Sequence, residues 1–169
     1  MHKNEIMKTL YIVRHAKSSW DHPGLSDDER PLLEKGIKRT LKIARYLQDN
    51  NILTDLMISS HAVRALETAR IIAGAIGYPE EKIIISPKLY HGNTDQLYDE
   101  LFALNDHIGS VMLFGHNPTF TSFANHFLKE QTDWLPTSAV VSIGFDTERW
   151  SDLPMAGHKT NFVVVPKDL

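Results

Sequence analysis

The chain has 169 residues, of which 42% are apolar, and it contains no cysteine. These values suit a single domain, predicted over residues 1–169, and exclude a disulfide framework, a zinc–thiolate site and a thiol nucleophile. With a net charge of −3, the protein as a whole does not attract nucleic acid or anionic lipid, so any attraction to an anion has to be local. The first apolar run, residues 10–13, is far shorter than a signal peptide or a membrane span. We therefore expect a cytoplasmic protein that binds neither nucleic acid nor membrane.

Short apolar runs alternate with amphipathic segments along the chain, and this alternation predicts strands and helices. In chain order, the predicted elements are a strand at 10–13, a helix at 33–47, a strand at 56–58, a helix at 62–76, a strand at 83–85, a helix at 97–104, a strand at 111–114, a helix at 120–128, and strands at 140–145 and 162–165. Such an order is typical of an α/β fold in which helices cover both faces of a central sheet. The longest irregular stretches are residues 18–31 and 148–161, and loops of this length are usually functional or mobile.

Local signals add detail to the helices. The helix at 62–76 stops at Gly77, and the last helix begins with Asn117 as its cap and Pro118 as its first helical residue. The first helix has a basic face opposite its apolar stripe, which we interpret as solvated. The acidic run 27–29 is interpreted as a solvated loop that pairs with Arg30 or caps a turn.

Three predicted strands end in cationic or imidazole side chains. The first ends in Arg14-His15, the second leads to Arg64 at the start of a helix, and the fourth leads to His116. Because the carboxyl ends of parallel strands meet at one edge of a sheet, these side chains are expected to converge. Two helix N-termini at the same edge also favour an anion. The sequence therefore predicts a phosphate site, although Arg64 has the alternative of a surface pair with Glu67.

These residues give the chain a family resemblance. It resembles the histidine phosphatase superfamily, whose mark is Arg-His-Gly or Arg-His-Ala after the first strand, here residues 14–16. Further agreement lies in residues 30–32 with Gly36, and in the blocks 59–69, 115–118 and 136–139. The order of the blocks is similar to the SixA-type phosphohistidine phosphatase branch. The resemblance implies a phosphoglycerate mutase-like fold, that is, a three-layer α/β/α sandwich with a mostly parallel sheet.

The resemblance also implies roles for individual residues. His15 would be the nucleophile, and Arg14, Arg64 and His116 would complete the phosphate pocket. The residues expected to bind substrate are Lys17, Ser18, Arg30, His91 and Asn117. The nucleophilic imidazole has to be neutral, and we expect the surrounding cations to lower its pKa.

One position departs from the larger family. Phosphomonoesterase and mutase branches usually have a glutamate in a Leu-x-Glu context that protonates the leaving alkoxide, whereas this chain reads Leu89-Tyr90-His91. His91 is open to two interpretations, a replacement acid or a structural residue. A phosphoramidate has less need of such an acid, because its imidazole leaving group departs neutral once the distal ring nitrogen is protonated.

The resulting prediction is a phosphatase that needs no metal or other cofactor, because the arginines supply the charge that stabilises phosphoryl transfer. The expected partner is a phosphorylated protein, such as a histidine-containing phosphotransfer domain, or a small phosphorylated molecule. Two alternatives stay open: a small-molecule phosphomonoesterase or sugar phosphatase, and a phosphate-binding adaptor domain without turnover. The sequence does not indicate an oligomeric state.

Overall fold

The computed structural model describes residues 5–169, which form one six-stranded sheet with helices on both faces. The strands are β1 Lys8–Arg14, β2 Leu56–Ser59, β3 Ile84–Ile85, β4 Ser110–Gly115, β5 Val140–Asp146 and β6 Gly157–Val164. The helices are α1 Glu34–Asp49, α2 Val63–Ile76, α3 Lys88–His91, α4 Thr94–Phe102 and α5 Thr119–Asn125. Four short 3-10 helices lie at Asp27–Glu29, Glu80–Lys82, Trp150–Met155 and Pro166–Asp168. The predicted α/β class is confirmed.

The strand order is β3-β2-β4-β1-β5-β6. The first four of these strands are mutually parallel, whereas β5 runs antiparallel to β1 and β6 runs antiparallel to β5. This arrangement confirms a mostly parallel sheet. It also brings the start of β5 to the sheet edge at which β1, β2 and β4 end.

Successive residues of β1 point to opposite faces of the sheet and belong to two hydrophobic clusters. Leu10 and Ile12 pack on the side of α4 and α5, whereas Tyr11 and Val13 pack on the side of α1 and α2. Because a buried parallel strand has to be covered on both faces, the β1 sequence is apolar on both sides. The result is the predicted three-layer sandwich.

The predicted bounds of several elements are wrong; helix α4, for example, spans Thr94–Phe102 rather than 97–104. The stretch predicted as irregular, 148–161, contains a 3-10 helix and the first half of β6, which begins at Gly157 rather than at 162. This half of β6 is exposed and polar, so it carries no apolar pattern, and it is held by backbone pairing to β5. Helix α5 begins at Thr119, with Pro118 as its cap residue, and ends at Asn125. Asn117 thus lies one residue before the cap, and its side-chain oxygen accepts a hydrogen bond from the Thr121 N–H at 3.1 Å.

No helix within residues 5–169 has the length and apolar content needed to cross a bilayer.

Candidate active site

The four residues predicted to be catalytic follow three neighbouring strands. Arg14 ends β1 and His15 follows it, His116 follows β4, and Arg64 lies in the first turn of α2, after β2. Because β2, β4 and β1 are adjacent and parallel, their carboxyl ends meet at one edge of the sheet. His15, Arg64 and His116 are all buried there, and the two imidazole rings lie 5.0 Å apart between centroids.

A cavity of about 690 Å³ opens at this edge. Eight of the nine predicted site residues line it: Arg14, His15, Lys17, Ser18, Arg30, Arg64, His116 and Asn117. The ninth, His91, is exposed at the end of α3, where its ring lies 3.9 Å from that of Tyr90, and it is not among the lining residues. The structure therefore brings eight of these residues together, and the roles assigned to them stay predictions.

The His15 ring is held in one orientation by its own chain. Its Nδ1 lies 2.7 Å from the carbonyl oxygen of Ala16. A carbonyl oxygen only accepts hydrogen bonds, so Nδ1 carries the proton and donates it. In the neutral ring, the other nitrogen, Nε2, is then unprotonated and has a lone pair. The structure thus presents the electronic form of imidazole that a nucleophile requires.

The backbone around His15 is tied to the neighbouring elements. The His15 N–H donates to the carbonyl of Gly115 at 3.0 Å, and the Ala16 N–H donates to Thr68 Oγ1 at 2.9 Å. Thr68 Oγ1 in turn donates to the carbonyl oxygen of Arg64. This chain of hydrogen bonds connects the end of β1 to the helix that carries Arg64.

Two glycines permit close packing beneath the cavity. A Cβ atom on Gly115 would lie 2.4 Å from the Phe120 ring, and one on Gly36 would lie 2.3 Å from the carbonyl oxygen of Lys17. Both distances are shorter than any non-bonded contact allows. Glycine at these two positions lets α5 and α1 approach the segments that carry His116 and Lys17.

His116 is positioned by a residue to which the sequence motifs assign no role. Ser60 Oγ lies 2.7 Å from His116 Nε2 and accepts a hydrogen bond from the Ala62 N–H at 3.1 Å. The proton of the Ser60 hydroxyl has no other acceptor within residues 5–169, so the hydroxyl donates to Nε2, and in the neutral His116 ring Nδ1 carries the proton. That Nδ1 is buried and has no hydrogen-bond partner among residues 5–169. It is thus a donor available to an anion in the cavity. Only the adjacency of Ser60 to the strand end gives a hint of this contact.

Burial is the main reason that both imidazoles are neutral. The pKa of His15 is lowered to about 3 by burial first and then by the charges of Arg64, Arg14 and Arg30, against the opposing effect of the Ala16 hydrogen bond. The pKa of His116 is lowered to about 2 by burial first, and then by His15 and Arg64. The sequence predicts that the surrounding cations lower the His15 pKa; this effect is confirmed, and removal from water adds a larger one that the sequence does not show.

We expect neither ring to titrate between pH 8 and pH 5, which carbon-detected NMR of histidine-labelled protein will test. Since both pKa values are depressed in the folded state, the rings stabilise the fold fully above the ordinary value of 6.5. That stability falls as the pH drops below 6.5, by about 1.4 kcal/mol per pH unit for each ring. Spectra of His15→Asn and His116→Asn assign the signals. A midpoint near 6.5 for either ring would contradict the burial argument.

Arg64 is buried and pairs with the segment that precedes Arg30. Its Nη1 donates to the backbone carbonyl of Asp27 at 2.7 Å, and its Nη2 donates to the Asp27 carboxylate at 2.9 Å. The alternative surface pair between Arg64 and Glu67 is wrong, because Glu67 pairs with Arg70. The Nε groups of Arg64 and Arg14 are buried without hydrogen-bond partners within the described part of the chain. Both arginines therefore retain donors for an oxyanion.

Asp27 is a site residue that the sequence motifs do not indicate. Its pairing with Arg30, at 3.1 Å, was expected, but it also accepts hydrogen bonds from Arg64 and from the Tyr90 hydroxyl, and it lines the cavity. The Tyr90 hydrogen bond, followed by those of Arg64 and Arg30, holds the pKa of Asp27 well below its usual range, although partial burial opposes this. Its carboxylate is therefore ionised near neutral pH.

Other predicted substrate-binding side chains are occupied by contacts within the protein. The Ser18 hydroxyl accepts from Arg30 Nη1 at 2.9 Å, and the Arg30 guanidinium lies 3.5 Å from the centre of the exposed Trp20 ring. Asn117 donates to the carbonyl of Leu135 at 2.8 Å, and its side-chain oxygen accepts from Thr121. Asn117 thus connects the cavity wall to Leu135 and to Thr121 of α5. Lys17 is exposed at the cavity.

The three tryptophans, whose roles the sequence leaves undecided, differ in their surroundings. Trp20 lines the cavity, whereas Trp150 is fully buried in the core and donates to the carbonyl of Ile108 at 2.7 Å. Trp134 is half-exposed, and its ring centre lies 5.7 Å from the Arg14 guanidinium. Within residues 5–169, no three His, Asp or Glu side chains are grouped as the ligands of a metal ion would be.

Sequence comparison identifies relatives of the chain. Residues 10–97, just over half of the chain, match the histidine phosphatase superfamily (branch 1). An uncharacterised chloroplastic protein of Arabidopsis thaliana is 31% identical over 120 residues, which cover 66% of this chain and 55% of that protein. The chain thus spans about half the length of this relative.

Two solved structures share the fold over almost the whole chain. A candidate phosphohistidine phosphatase SixA from Agrobacterium tumefaciens has a TM-score of 0.78 and 26% identity, covering 96% of this chain and 100% of that one. The protein histidine phosphatase SixA in complex with tungstate has a TM-score of 0.79 and 23% identity, covering 95% of this chain and 98% of that one. These matches confirm the phosphoglycerate mutase-like fold. The chain belongs to the histidine phosphatase superfamily, and its fold is that of the SixA-type members.

Proposed function

We propose that the protein hydrolyses protein phosphohistidine by way of a phosphorylated His15, without a metal ion. Membership of the histidine phosphatase superfamily supports a phosphatase activity. The finer assignment to phosphohistidine depends on one observation, the absence of a glutamate at the family position, where this chain has His91. Asp27 is held ionised by three hydrogen-bond donors, and His91, at the position of the family glutamate, is exposed and is not among the residues that line the cavity.

The first chemical step is attack by Nε2 of His15 on phosphorus. The lone pair of Nε2 is available because Nδ1 donates to the Ala16 carbonyl. Phosphoryl transfer spreads negative charge over three equatorial oxygens, and preorganised donors in a buried site stabilise that charge strongly. The unpartnered Nε groups of Arg14 and Arg64 and Nδ1 of His116 are such donors. Water then attacks the phosphorylated His15, releasing phosphate and restoring the neutral ring.

The leaving group decides which substrates react quickly. An alkoxide leaves slowly unless a positioned acid protonates it, an effect of roughly a hundredfold or more. A phosphorylated imidazole whose distal nitrogen is protonated leaves as neutral imidazole and needs no such acid. A cavity with an ionised Asp27 and without the family glutamate therefore favours a P–N bond over the P–O bond of an alkyl phosphate.

The surroundings of the cavity support a protein substrate. Trp20 lines the cavity and is 77% exposed, and exposed aromatic residues are typical anchors of protein interfaces. Arg39, on the basic face of α1, also lines the cavity, so part of that face adjoins the site. This combination suits an acidic protein that presents a phosphohistidine.

Turnover of a phosphorylated histidine-containing phosphotransfer domain, beside phosphoserine and glucose 6-phosphate, will test the proposal. We expect kcat/KM for the phosphoprotein to be at least about a hundredfold higher, in the presence of EDTA, and tungstate to inhibit. His15→Asn, assayed in parallel, controls for a contaminating phosphatase. Equal or faster turnover of an alkyl phosphate would favour a small-molecule phosphomonoesterase. Tight tungstate binding without turnover of any substrate would favour an adaptor domain.

A further inference from the structure

The Asp27 carboxylate has one hydrogen-bond position to spare. A carboxylate accepts at about four lone-pair positions. Oδ1 accepts from Arg30 Nε at 3.1 Å, and Oδ2 accepts from Arg64 Nη2 at 2.9 Å and from the Tyr90 hydroxyl at 2.5 Å. Within residues 5–169, no other donor reaches these oxygens, so one position on Oδ1 is open. The side chain is 47% exposed and lines the cavity.

A leaving group opposite His15 departs toward the opening of the cavity, and Asp27 is one of the residues that line this cavity. The nucleophile, His15, is buried with 8% of its surface exposed, so a substrate phosphate approaches it from the open side. In-line attack places the leaving group opposite the nucleophile, and therefore toward the opening. Arg64 is close to both Asp27 and His15, because it contacts the Asp27 carboxylate and its charge lowers the pKa of His15. A phosphate bound by Arg64 lies beside Asp27.

An ionised carboxylate in this position can accept a proton-bearing group but cannot supply a proton. A phosphorylated imidazole presents such a group, the N–H of its distal ring nitrogen, whereas an alkoxide or phenoxide leaving group presents none. We propose that Asp27 is a catalytic residue that accepts a hydrogen bond from the distal ring N–H of the phosphohistidine substrate. This inference rests on the proposed function and gives the site a determinant of specificity for P–N substrates.

The reaction balances without any proton transfer in its first step. The substrate ring carries the phosphoryl group on one nitrogen and a proton on the other, which donates to Asp27 Oδ1. As the bond from His15 Nε2 to phosphorus forms, the substrate P–N bond breaks and its electron pair returns to the substrate ring. The product imidazole is neutral and keeps its distal N–H. The carboxylate thus keeps the substrate ring in its protonated, reactive form and orients it for departure.

The test compares two substrates that differ in this N–H. Free τ-phosphohistidine carries it, whereas p-nitrophenyl phosphate does not and needs no protonation of its leaving group. In Asp27→Asn, we expect the ratio of kcat/KM for phosphohistidine to kcat/KM for the aryl phosphate to fall about tenfold or more, the effect of losing one hydrogen bond to a charged group. A purely structural role in holding Arg64 would lower both values in parallel and leave the ratio unchanged.

Tyr90→Phe is the matched control. It removes one donor from Oδ2 but leaves the carboxylate in place, so the ratio should stay within about twofold of wild type.

A second measurement needs no variant. The wild-type rate enhancement over spontaneous hydrolysis should be about tenfold lower for 1-methyl-3-phosphoimidazole, which lacks the N–H, than for phosphoimidazole. An unchanged ratio in Asp27→Asn, or equal enhancements for the two imidazoles, would overturn the inference alone. Absence of phosphohistidine turnover by the wild type would overturn the proposed function, and the inference with it.

Discussion

Replacing His15 with alanine will reduce turnover of every phosphorylated substrate to background while the protein stays folded. The variant lacks the nitrogen that forms the bond to phosphorus, and no other imidazole can take its place. The second histidine of the cavity, His116, is bonded through Nε2 to Ser60 and has its Nδ1 as a donor. The His15 side chain lines the cavity, so its removal widens an existing space rather than opening a void in the hydrophobic core. Steady-state assays and thermal unfolding will measure both effects.

A matched variant separates chemistry from folding in this experiment. His15→Asn keeps an N–H near the position of Nδ1, able to donate to the Ala16 carbonyl, but has no counterpart of Nε2. We expect it to be as inactive as His15→Ala and to unfold at nearly the wild-type temperature. Brief incubation with 32P-labelled phosphohistidine protein should leave an acid-labile label on the wild type and none on either variant. Turnover within tenfold of wild type in both variants would mean that another residue is the nucleophile.

Replacing Arg64 with alanine will lower kcat/KM by about two to three orders of magnitude, the effect of losing a preorganised donor to a transition-state oxyanion. Two consequences add in this variant. The cavity loses a buried positive charge, and the Asp27 carboxylate loses the partner that contacts it at 2.9 Å. Arg64→Lys should recover only part of the activity, because an ammonium group lacks the planar fork that binds two oxygens at once. The inhibition constant of tungstate should rise in both variants.

Arg70 on the same helix provides the control for Arg64. Its side chain is 41% exposed and pairs with Glu67 at 2.5 Å and with Glu80 at 2.9 Å. Exposed ion pairs of this kind contribute about 1 kcal/mol or less to stability. Arg70→Ala should therefore keep kcat/KM within about threefold of wild type. If Arg64→Ala were no more impaired than Arg70→Ala, the assignment of Arg64 to the oxyanion site would be wrong.

The elements and the sheet edge that carries the site are predictable because they depend on local patterns. Apolar residues recur with the period of a strand or a helix wherever one or both faces are buried, so 10–13 and 111–114 are identifiable as strands from their composition. Parallel strands connected by helices bring their carboxyl ends together, and this rule alone places Arg14, His15 and His116 at one edge. The first half of β6 is not predictable in this way because it is polar and exposed, and only its backbone pairing makes it a strand.

Contacts between distant loops cannot be predicted from local patterns. Asp27 and Tyr90 are 63 residues apart, and Asp27 and Arg64 are 37 apart, so no periodicity links them. Their meeting depends on the path of residues 18–31 across the cavity, which is determined by many tertiary contacts at once. The low pKa of His15 has the same origin. Its main cause is burial, which is a property of the whole fold, whereas the charge of the adjacent Arg14 can be read from the sequence. The order of residues thus establishes that arginines and histidines meet at one sheet edge, whereas the packing of distant segments adds Asp27 to the site and establishes which groups are ionised, which are partnered and which are available to a substrate.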